Sequence, residues 1–306
     1  MVVVGATSSG KTALGINICK RFNGEVVSAD SMQIYKGMNI ATAKPTVEEM
    51  EGIPHHLIDF LDVTQKYSVS SYCEDAKNVI DDIISRNKLP VIVGGTGLYI
   101  DSLINNTTFL QNASSDEIRK ALKEELNTKG IESLYEELLS IDPEAAKNIH
   151  KNNTIRVLRA IEVFRATGKT LTEQNELSHI IESDFDPLFI GIAYKNREIL
   201  YNRINKRVDI MLEKGLLNEA IDFYKSNPSD TAVNAIGYKE LKPFIDGNLK
   251  LEECVDNLKK ETRHYAKRQI TWFKRNNSIN WVYGDELDTD KMLFSVYEKI
   301  DSFLRE

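Results

Sequence analysis

Gly5-Ala6-Thr7-Ser8-Ser9-Gly10-Lys11-Thr12 fits the pattern G-x-x-x-x-G-K-[ST], and its setting decides the fold class. Met1-Val2-Val3-Val4 precedes it, a short β-branched run that reads as a buried strand. Ala13 to Phe22 follows, with Leu14, Ile18 and Phe22 on one helical stripe. A helix begins with unpaired backbone N–H groups and the positive end of its dipole, both aimed where an anion would lie. Gly5 and Gly10 permit close backbone approach, Lys11 reaches the outer phosphates and Thr12 offers a hydroxyl to Mg²⁺. The plainer alternative is a chance match on a strand-to-helix turn. Strand, loop and helix in register favour phosphate binding by all eight residues, while which bond breaks stays open.

A chain of 306 residues is long enough for one large α/β domain or a core with a smaller second unit. No apolar run approaches a membrane span, and the first strand leads straight into the loop with no room for a targeting peptide. A cytoplasmic protein with no membrane partner is expected. Cys19, Cys73 and Cys254 are scattered without C-x-x-C spacing, which argues against a disulfide framework or a zinc site. His55-His56 follows Pro54 in an expected loop, and neighbouring side chains that point differently suit structural roles better than a metal. The net charge of −7 argues mildly against a nucleic-acid partner, but clustered basic residues can override the sum.

Strand and helix patterns alternate over the first ~110 residues, as in a parallel sheet with crossover helices. Strands are expected at Glu25 to Asp30, Leu57 to Leu61 and Val91 to Val93, the last entering Gly94-Gly95-Thr96-Gly97. From Ser114 to about Glu182 the chain is helical and polar, punctuated by Gly130, Pro143, Gly168 and a Thr170-Leu171-Thr172-Glu173 capping box. Phe189 to Ala193 and Ile279 to Tyr283 are again strand-like. The expected architecture is an α/β, P-loop NTPase-like parallel-sheet core with an inserted small all-helical domain. The core spans 1–112 and 183–306, and the insertion 113–182.

Asp30 sits at a strand's carboxyl end, where open α/β sheets bind ligands. It reads as a general base, an Mg²⁺ organiser or a turn cap. Thr96 lies in a loop whose glycines allow close approach to a ligand, and its hydroxyl can donate to phosphate; a tight turn is the alternative. Arg203 and Arg207 share one face of a long helix beside the stripe Leu200, Ile204, Val208 and Met211. Paired guanidinium forks suit a diphosphate, and a salt-bridged exposed face is the ordinary alternative. Basic charge clusters at Arg156, Arg159 and Arg165, and again over Lys259 to Arg275, where His264, Tyr265, Trp272 and Phe273 interleave with it. Charge beside aromatic surface suits RNA, although Tyr265 and Trp272 at helical spacing fit a core better. No later strand ends in the Asp that phosphoryl-transfer P-loop enzymes use for Mg²⁺, which weakens an ATPase or kinase reading of an ATP-binding type of loop.

Taken together, GATSSGKT, SADSMQIYKGMNIATAKP (28–45), IPHHLID (53–59), VGGTGLYI (93–100), the Arg156–Arg165 helix, NAIGYKE (234–240) and KRQITWFKR (267–275) resemble the tRNA dimethylallyltransferase, or isopentenyltransferase, family. The resemblance runs through nearly the whole chain in the family's order. It implies transfer of a dimethylallyl group from dimethylallyl diphosphate to the exocyclic amine of the adenosine following a tRNA anticodon. The loop then holds the donor's diphosphate, with Mg²⁺ as cofactor, tRNA as partner and a monomer as the working form. It also implies site residues: Lys11 and Thr12 for diphosphate and Mg²⁺, Asp30 as base, Thr96 near the reacting centre and Arg207 on the diphosphate. The tRNA contacts it implies are Asp30, Ser31, Met32, Gln33, Thr96, Arg119, Ile155, Arg156, Val157, Leu158, Arg159, Asn234, Ala235, Ile236, Gly237, Tyr238 and Lys239. This chain departs from the family at Ile155, where members often carry glutamine, and at Ala41, commonly glycine; it also lacks the zinc finger of some eukaryotic members. The competing readings are a P-loop nucleoside or small-molecule kinase and a non-catalytic nucleotide-sensing RNA binder.

Overall fold

The computed structural model describes residues 1–107, 115–178, 183–286 and 288–305. The chain divides into two compact units, Met1–Leu103 with Phe185–Glu306, and Ile104–Asp184. The edges expected at 112 and 182 fall outside the described residues.

Six strands lie in the first unit: β1 (Val2–Gly5), β2 (Gly24–Ala29), β3 (His55–His56), β4 (Leu89–Gly94), β5 (Phe189–Ala193) and β6 (Ile279–Tyr283). They pair in parallel in the order β3-β2-β4-β1-β5-β6. The helices in chain order are α1 (Lys11–Phe22), α2 (Val47–Met50), α3 (Val69–Ser85), α4 (Gly97–Ile104), α5 (Ser115–Ile141), α6 (Pro143–Asn148), α7 (Thr154–Thr167), α8 (Leu171–Ser178), α9 (Arg197–Glu213), α10 (Leu216–Lys225), α11 (Tyr238–Ile245), α12 (Leu251–Phe273) and α13 (Thr289–Phe303).

Every residue of β1 is buried, as an uninterrupted Val run requires when both faces of a parallel strand are covered. Val3 lies level with Val93 on one side and Ile190 on the other. Leu14 and Ile18 of α1 and Val296 and Ile300 of α13 complete that core. Each such side chain contributes about 1.5–3 kcal/mol by leaving water. Because β4 and β5 flank β1, chain connections part to either side of it and open a crevice at the strands' carboxyl ends. The Gly5–Thr12 loop emerges into that crevice.

The third strand is not where the apolar pattern puts it. Leu57 and Asp59 adopt left-handed conformations, φ 58° and 56°, which no strand accommodates. His55–His56 pairs with Val26 and Val27 instead, so the histidines form the sheet edge, and Leu61 makes only an isolated bridge to Tyr35.

The second unit packs α5–α8 around Leu122, Leu134, Leu138, Val157 and Ile161. Gly130 breaks α5 at φ 78°. Thr170 and Glu173 exchange backbone and side-chain hydrogen bonds at 2.8 and 3.0 Å, the capping box read from the sequence.

The edge strand is tied down by a buried carboxylate. Glu25 accepts from Arg86 at 2.5 and 2.8 Å, from Lys88 at 2.6 Å, and pairs with His56 Nε2 at 2.7 Å. Arg86 above all holds the Glu25 carboxyl well below the usual carboxylate range. A depressed folded pKa contributes stability above the unfolded value of ~4.3 and loses it as pH falls through the folded value. Glu25→Gln is therefore expected to lower the unfolding midpoint at pH 7 by roughly 4–8 °C, the equivalent of about 2 kcal/mol. Thermal melts should show the gap to wild type closing below about pH 4.

Candidate active site

The carboxyl ends of β1, β2 and β4 open into a cavity of about 320 Å³, within the first unit. Thr7, Lys11, Thr12, Asp30 and Arg207 supply its polar wall. Ile204, Val208, Met211, Leu216 and Leu258 supply an apolar one.

Helix α1 begins at Gly10, held at φ 100° with no side-chain cap, so its first N–H groups are left for a ligand. The Ser8 and Ser9 hydroxyls are buried in the same loop without hydrogen-bond partners among the described residues. Lys11 Nζ donates to Ala6 O at 3.1 Å. Burial pulls the Lys11 ammonium down to about 8; Asp30 opposes that shift and Arg207 adds to it. Burial likewise disfavours charge on Arg207, while Glu49 and Asp30 support it. Two cations held in a desolvated pocket, with oriented N–H groups beside them, are able to hold a diphosphate.

Asp30 is both a turn cap and a cavity residue. Its Oδ1 accepts from Met32 N at 2.9 Å and Gln33 N at 3.3 Å. Among the described residues Oδ2 makes no hydrogen bond, which leaves one carboxylate oxygen for a proton. Ser31 N donates to Thr96 Oγ1 at 3.1 Å, so Thr96 stands directly behind the Asp30 turn.

Arg207 lines the cavity, but Arg203 does not. Arg203 Nε donates to Ser8 O at 2.9 Å and its guanidinium stacks 5.6 Å from the Tyr194 ring, so it braces the phosphate loop from behind. Among the described residues neither arginine forms a side-chain ion pair, which removes the salt-bridged-face alternative.

The glycines of Gly94-Gly95-Thr96-Gly97 serve packing more than ligand approach. A Cβ on Gly95 would lie 2.2 Å from Gln269 Nε2, and one on Gly97 2.2 Å from the Trp272 ring. Gln269, buried in α12, accepts Thr7 N–H at 2.8 Å and donates to Gly95 O at 3.0 Å, fastening the two glycine loops to each other. Tyr265 stands beside Thr96 and Gln269 and lines the cavity. Trp272 Nε1 donates to Asp101 Oδ2 at 2.7 Å and Phe273 is buried, so these two rings turn inward, while His264 is exposed. In the sequence Gln269 interrupts the inward stripe of Leu258, Tyr265, Ala266 and Phe273 as its one carboxamide, the signal that marks it.

Among the implied tRNA contacts, Ser31, Met32, Gln33, Asn234, Ala235, Ile236, Gly237 and Lys239 line the same cavity. Tyr238 does not: fully buried, it stacks on Phe223 at 4.2 Å, so its side chain is core. In the second unit Ile155 is 81% exposed and Arg156 and Arg159 face solvent. Val157 is fully buried and Leu158 packs on the same core, so neither offers a side chain outward. Arg119 and Arg159 both pair with the buried Glu162, at 2.6 and 3.2 Å.

No group of three or more His, Cys, Asp or Glu is placed to hold a metal among the described residues. Mg²⁺ needs only one or two protein oxygens when phosphate and water complete its shell. Thr12 beside a diphosphate, with Asp30 across the cavity, fits that donor chemistry.

A phosphate loop at the end of a central parallel strand, facing a carboxylate and an apolar wall, defines an α/β enzyme with a P-loop NTPase-like core. Within that class, the model described as IPP transferase matches residues 33–276, and the chain belongs to this family. It is 47% identical over 289 residues to the tRNA dimethylallyltransferase of Thermoanaerobacter sp. (strain X514), covering 94% of this chain and 92% of that one. It is 45% identical over 309 residues to that of Caldanaerobacter subterraneus subsp. tengcongensis, covering 100% and 98%. The crystal structure of a tRNA isopentenylpyrophosphate transferase from Bacillus halodurans matches with a TM-score of 0.75 and 41% identity over 99% of this chain and 96% of that one. A eukaryotic dimethylallyltransferase captured acting on tRNA matches with a TM-score of 0.80 and 30% identity, over 98% and 79%. Family membership disfavours the kinase alternative.

The Lys11 charge is lost as pH rises through about 8, because burial lowers its pKa. Affinity for inorganic diphosphate, followed by calorimetry, should fall faster between pH 7.5 and 9.5 in wild type than in Lys11→Arg, whose guanidinium stays charged. Superimposable profiles would contradict this reading of Lys11.

Proposed function

We propose that the chain transfers a dimethylallyl group from dimethylallyl diphosphate to the exocyclic N6 amine of the adenosine on the 3′ side of a tRNA anticodon, releasing diphosphate. What carries the proposal is one cavity in which the Asp30 carboxylate faces a diphosphate clamp across an apolar wall. A kinase needs no such wall. A prenyl donor needs both.

The adenine amine is a weak nucleophile because its lone pair is delocalised into the ring. As the N6–C1 bond forms and the C1–oxygen bond breaks, the diphosphate leaves with its electron pair. The loop N–H groups, Lys11 and Arg207 stabilise that charge. The amine proton passes to Asp30 Oδ2, the oxygen its own turn leaves unused. Thr96, set behind Ser31, steadies the turn: its hydroxyl accepts from Ser31 N and donates to Ser31 Oγ. Mg²⁺ held by Thr12 would supply further positive charge at the leaving group. The target base leaves its stack to enter the cavity. Asp30 to Gln33 and Asn234 to Lys239 receive it there. Ile155, Arg156 and Arg159 of the helical unit meet the anticodon stem, with Arg119 at its edge. A cytoplasmic location is part of this proposal, supported by a tRNA substrate. Every cavity residue comes from one chain, so a monomer suffices.

Incubation with unmodified tRNA, Mg²⁺ and labelled dimethylallyl diphosphate should yield prenylated adenosine on digestion; no label in tRNA that binds would refute the proposal. Asp30→Ala should slow single turnover ~10²–10⁴-fold, the usual range for losing a general base. A near-normal rate would remove Asp30 from the mechanism. Affinity for tRNA should fall steeply with salt, on the order of one decade or more between 50 and 200 mM, if the exposed arginines meet phosphates.

A further inference from the structure

Glu219 lies on α10, outside every motif in the sequence, yet its carboxylate collects three backbone N–H groups and one hydroxyl beside the cavity. Oε2 accepts from Asn39 N at 2.9 Å and Ile40 N at 2.8 Å. Oε1 accepts from Ala41 N at 2.9 Å and from the Tyr238 hydroxyl at 2.7 Å. Three consecutive backbone N–H groups converging on one acid form an anion-binding nest, which a charged carboxylate fills and a neutral amide does not.

Each group of donors adjoins a cavity wall. Ala41, Thr42 and Ala43 line one side, and Asn234 to Gly237 lead into Tyr238 on the other. The two walls touch: a Cβ on Gly237 would lie 3.0 Å from Ala41 Cβ. Tyr238 is fixed in turn by its stack on Phe223, which shares α10 with Glu219.

The loop that Glu219 grips is internally rigid. Ala43 N donates to Ile40 O at 3.0 Å and Lys44 N to Asn39 O at 2.9 Å. From it the connection runs on to the catalytic carboxylate. Gln33 Nε2 donates to Thr42 O at 3.1 Å and Ala43 O at 3.3 Å, while Gln33 N donates to Asp30 Oδ1.

We propose that Glu219 is a positioning residue for the transfer reaction: through residues 39–43 and Gln33 it sets the Asp30 carboxylate and closes the wall that receives the adenine. The proposal rests on the reading of Asp30 as the base. Glu219 touches no reacting atom. Its contribution is geometric, and a displacement of about 1 Å at a catalytic group can cost up to ~10²-fold in rate.

The test is single-turnover prenylation of unmodified tRNA at saturating tRNA and dimethylallyl diphosphate, with diphosphate affinity measured alongside. Glu219→Gln should slow the step ~10–10²-fold while leaving inorganic diphosphate affinity within about twofold, because the phosphate loop is held separately by Gln269 and Arg203. Gln33→Ala should show the same split, and the double variant should be no slower than the slower single one. Should Glu219→Gln fail to fold, judged by circular dichroism, Gln33→Ala carries the test alone and a wild-type rate in it overturns the proposal. A wild-type rate in Glu219→Gln, losses that multiply in the double variant, or diphosphate affinity falling in parallel would each overturn it. Asp30→Asn separates the two readings. If that variant is slow and Glu219→Gln is not, the positioning role fails and the base stands. If it turns over normally, the base reading fails first.

Discussion

The carboxamide of Gln269 joins the two loops on which the site depends. Its oxygen takes the Thr7 N–H of the phosphate loop and its nitrogen reaches the Gly95 carbonyl beyond β4, so one side chain sets the spacing between the ends of β1 and β4. A buried amide is tolerated only when its polar atoms are matched, and here both ends are. Thr96 follows directly from Gly95 and contacts Ser31, so the same fixture reaches the turn that carries Asp30. The absence of side chains at Gly95 and Gly97 is what admits Gln269 and Trp272 of α12. The glycine-rich loop is thus legible twice, as a candidate ligand loop in the sequence and as a docking surface for a helix in the structure.

The site joins two electrostatic demands that conflict in isolation. A leaving diphosphate wants concentrated positive charge, and an amine losing its proton wants a carboxylate. Asp30 supports the charge on Lys11 and on Arg207, while burial opposes both, joined by Arg207 at Lys11 and by Arg203 at Arg207. In the proposed reaction a diphosphate between Lys11 and Arg207 would relieve that opposition and leave Oδ2 of Asp30 to act as the base. The apolar wall of α9 and neighbouring residues keeps both interactions in a medium where they are strong.

Much of this was readable from residues alone because it is local. The strand–loop–helix at Val2 to Phe22, the parallel sheet, the capping box at Thr170 and the break at Gly130 each follow from short-range sterics and periodicity. What sequence reading misplaced depends on longer-range pairing. The edge strand fell on His55–His56 because left-handed turns at Leu57 and Asp59 outrank the apolar run. Arg203 and Arg207 share a helix face in the sequence, but only the fold shows that the first braces the loop while the second lines the cavity. Tyr238 and Val157 stand within the implied tRNA contacts, and their side chains lie in the core. Gln269 and Glu219 act across separations of 262 and about 180 residues, which no spacing rule reaches.

The most direct measurement is a crystal structure of the protein with a non-reactive thio-analogue of dimethylallyl diphosphate and an anticodon stem-loop. The account predicts the diphosphate on the N–H groups of residues 8–12 with Lys11 and Arg207, the prenyl chain against the apolar wall, and a flipped adenine with its amine within hydrogen-bond distance of Asp30 Oδ2. A diphosphate bound away from the loop, or an adenine amine turned from Asp30, would contradict it.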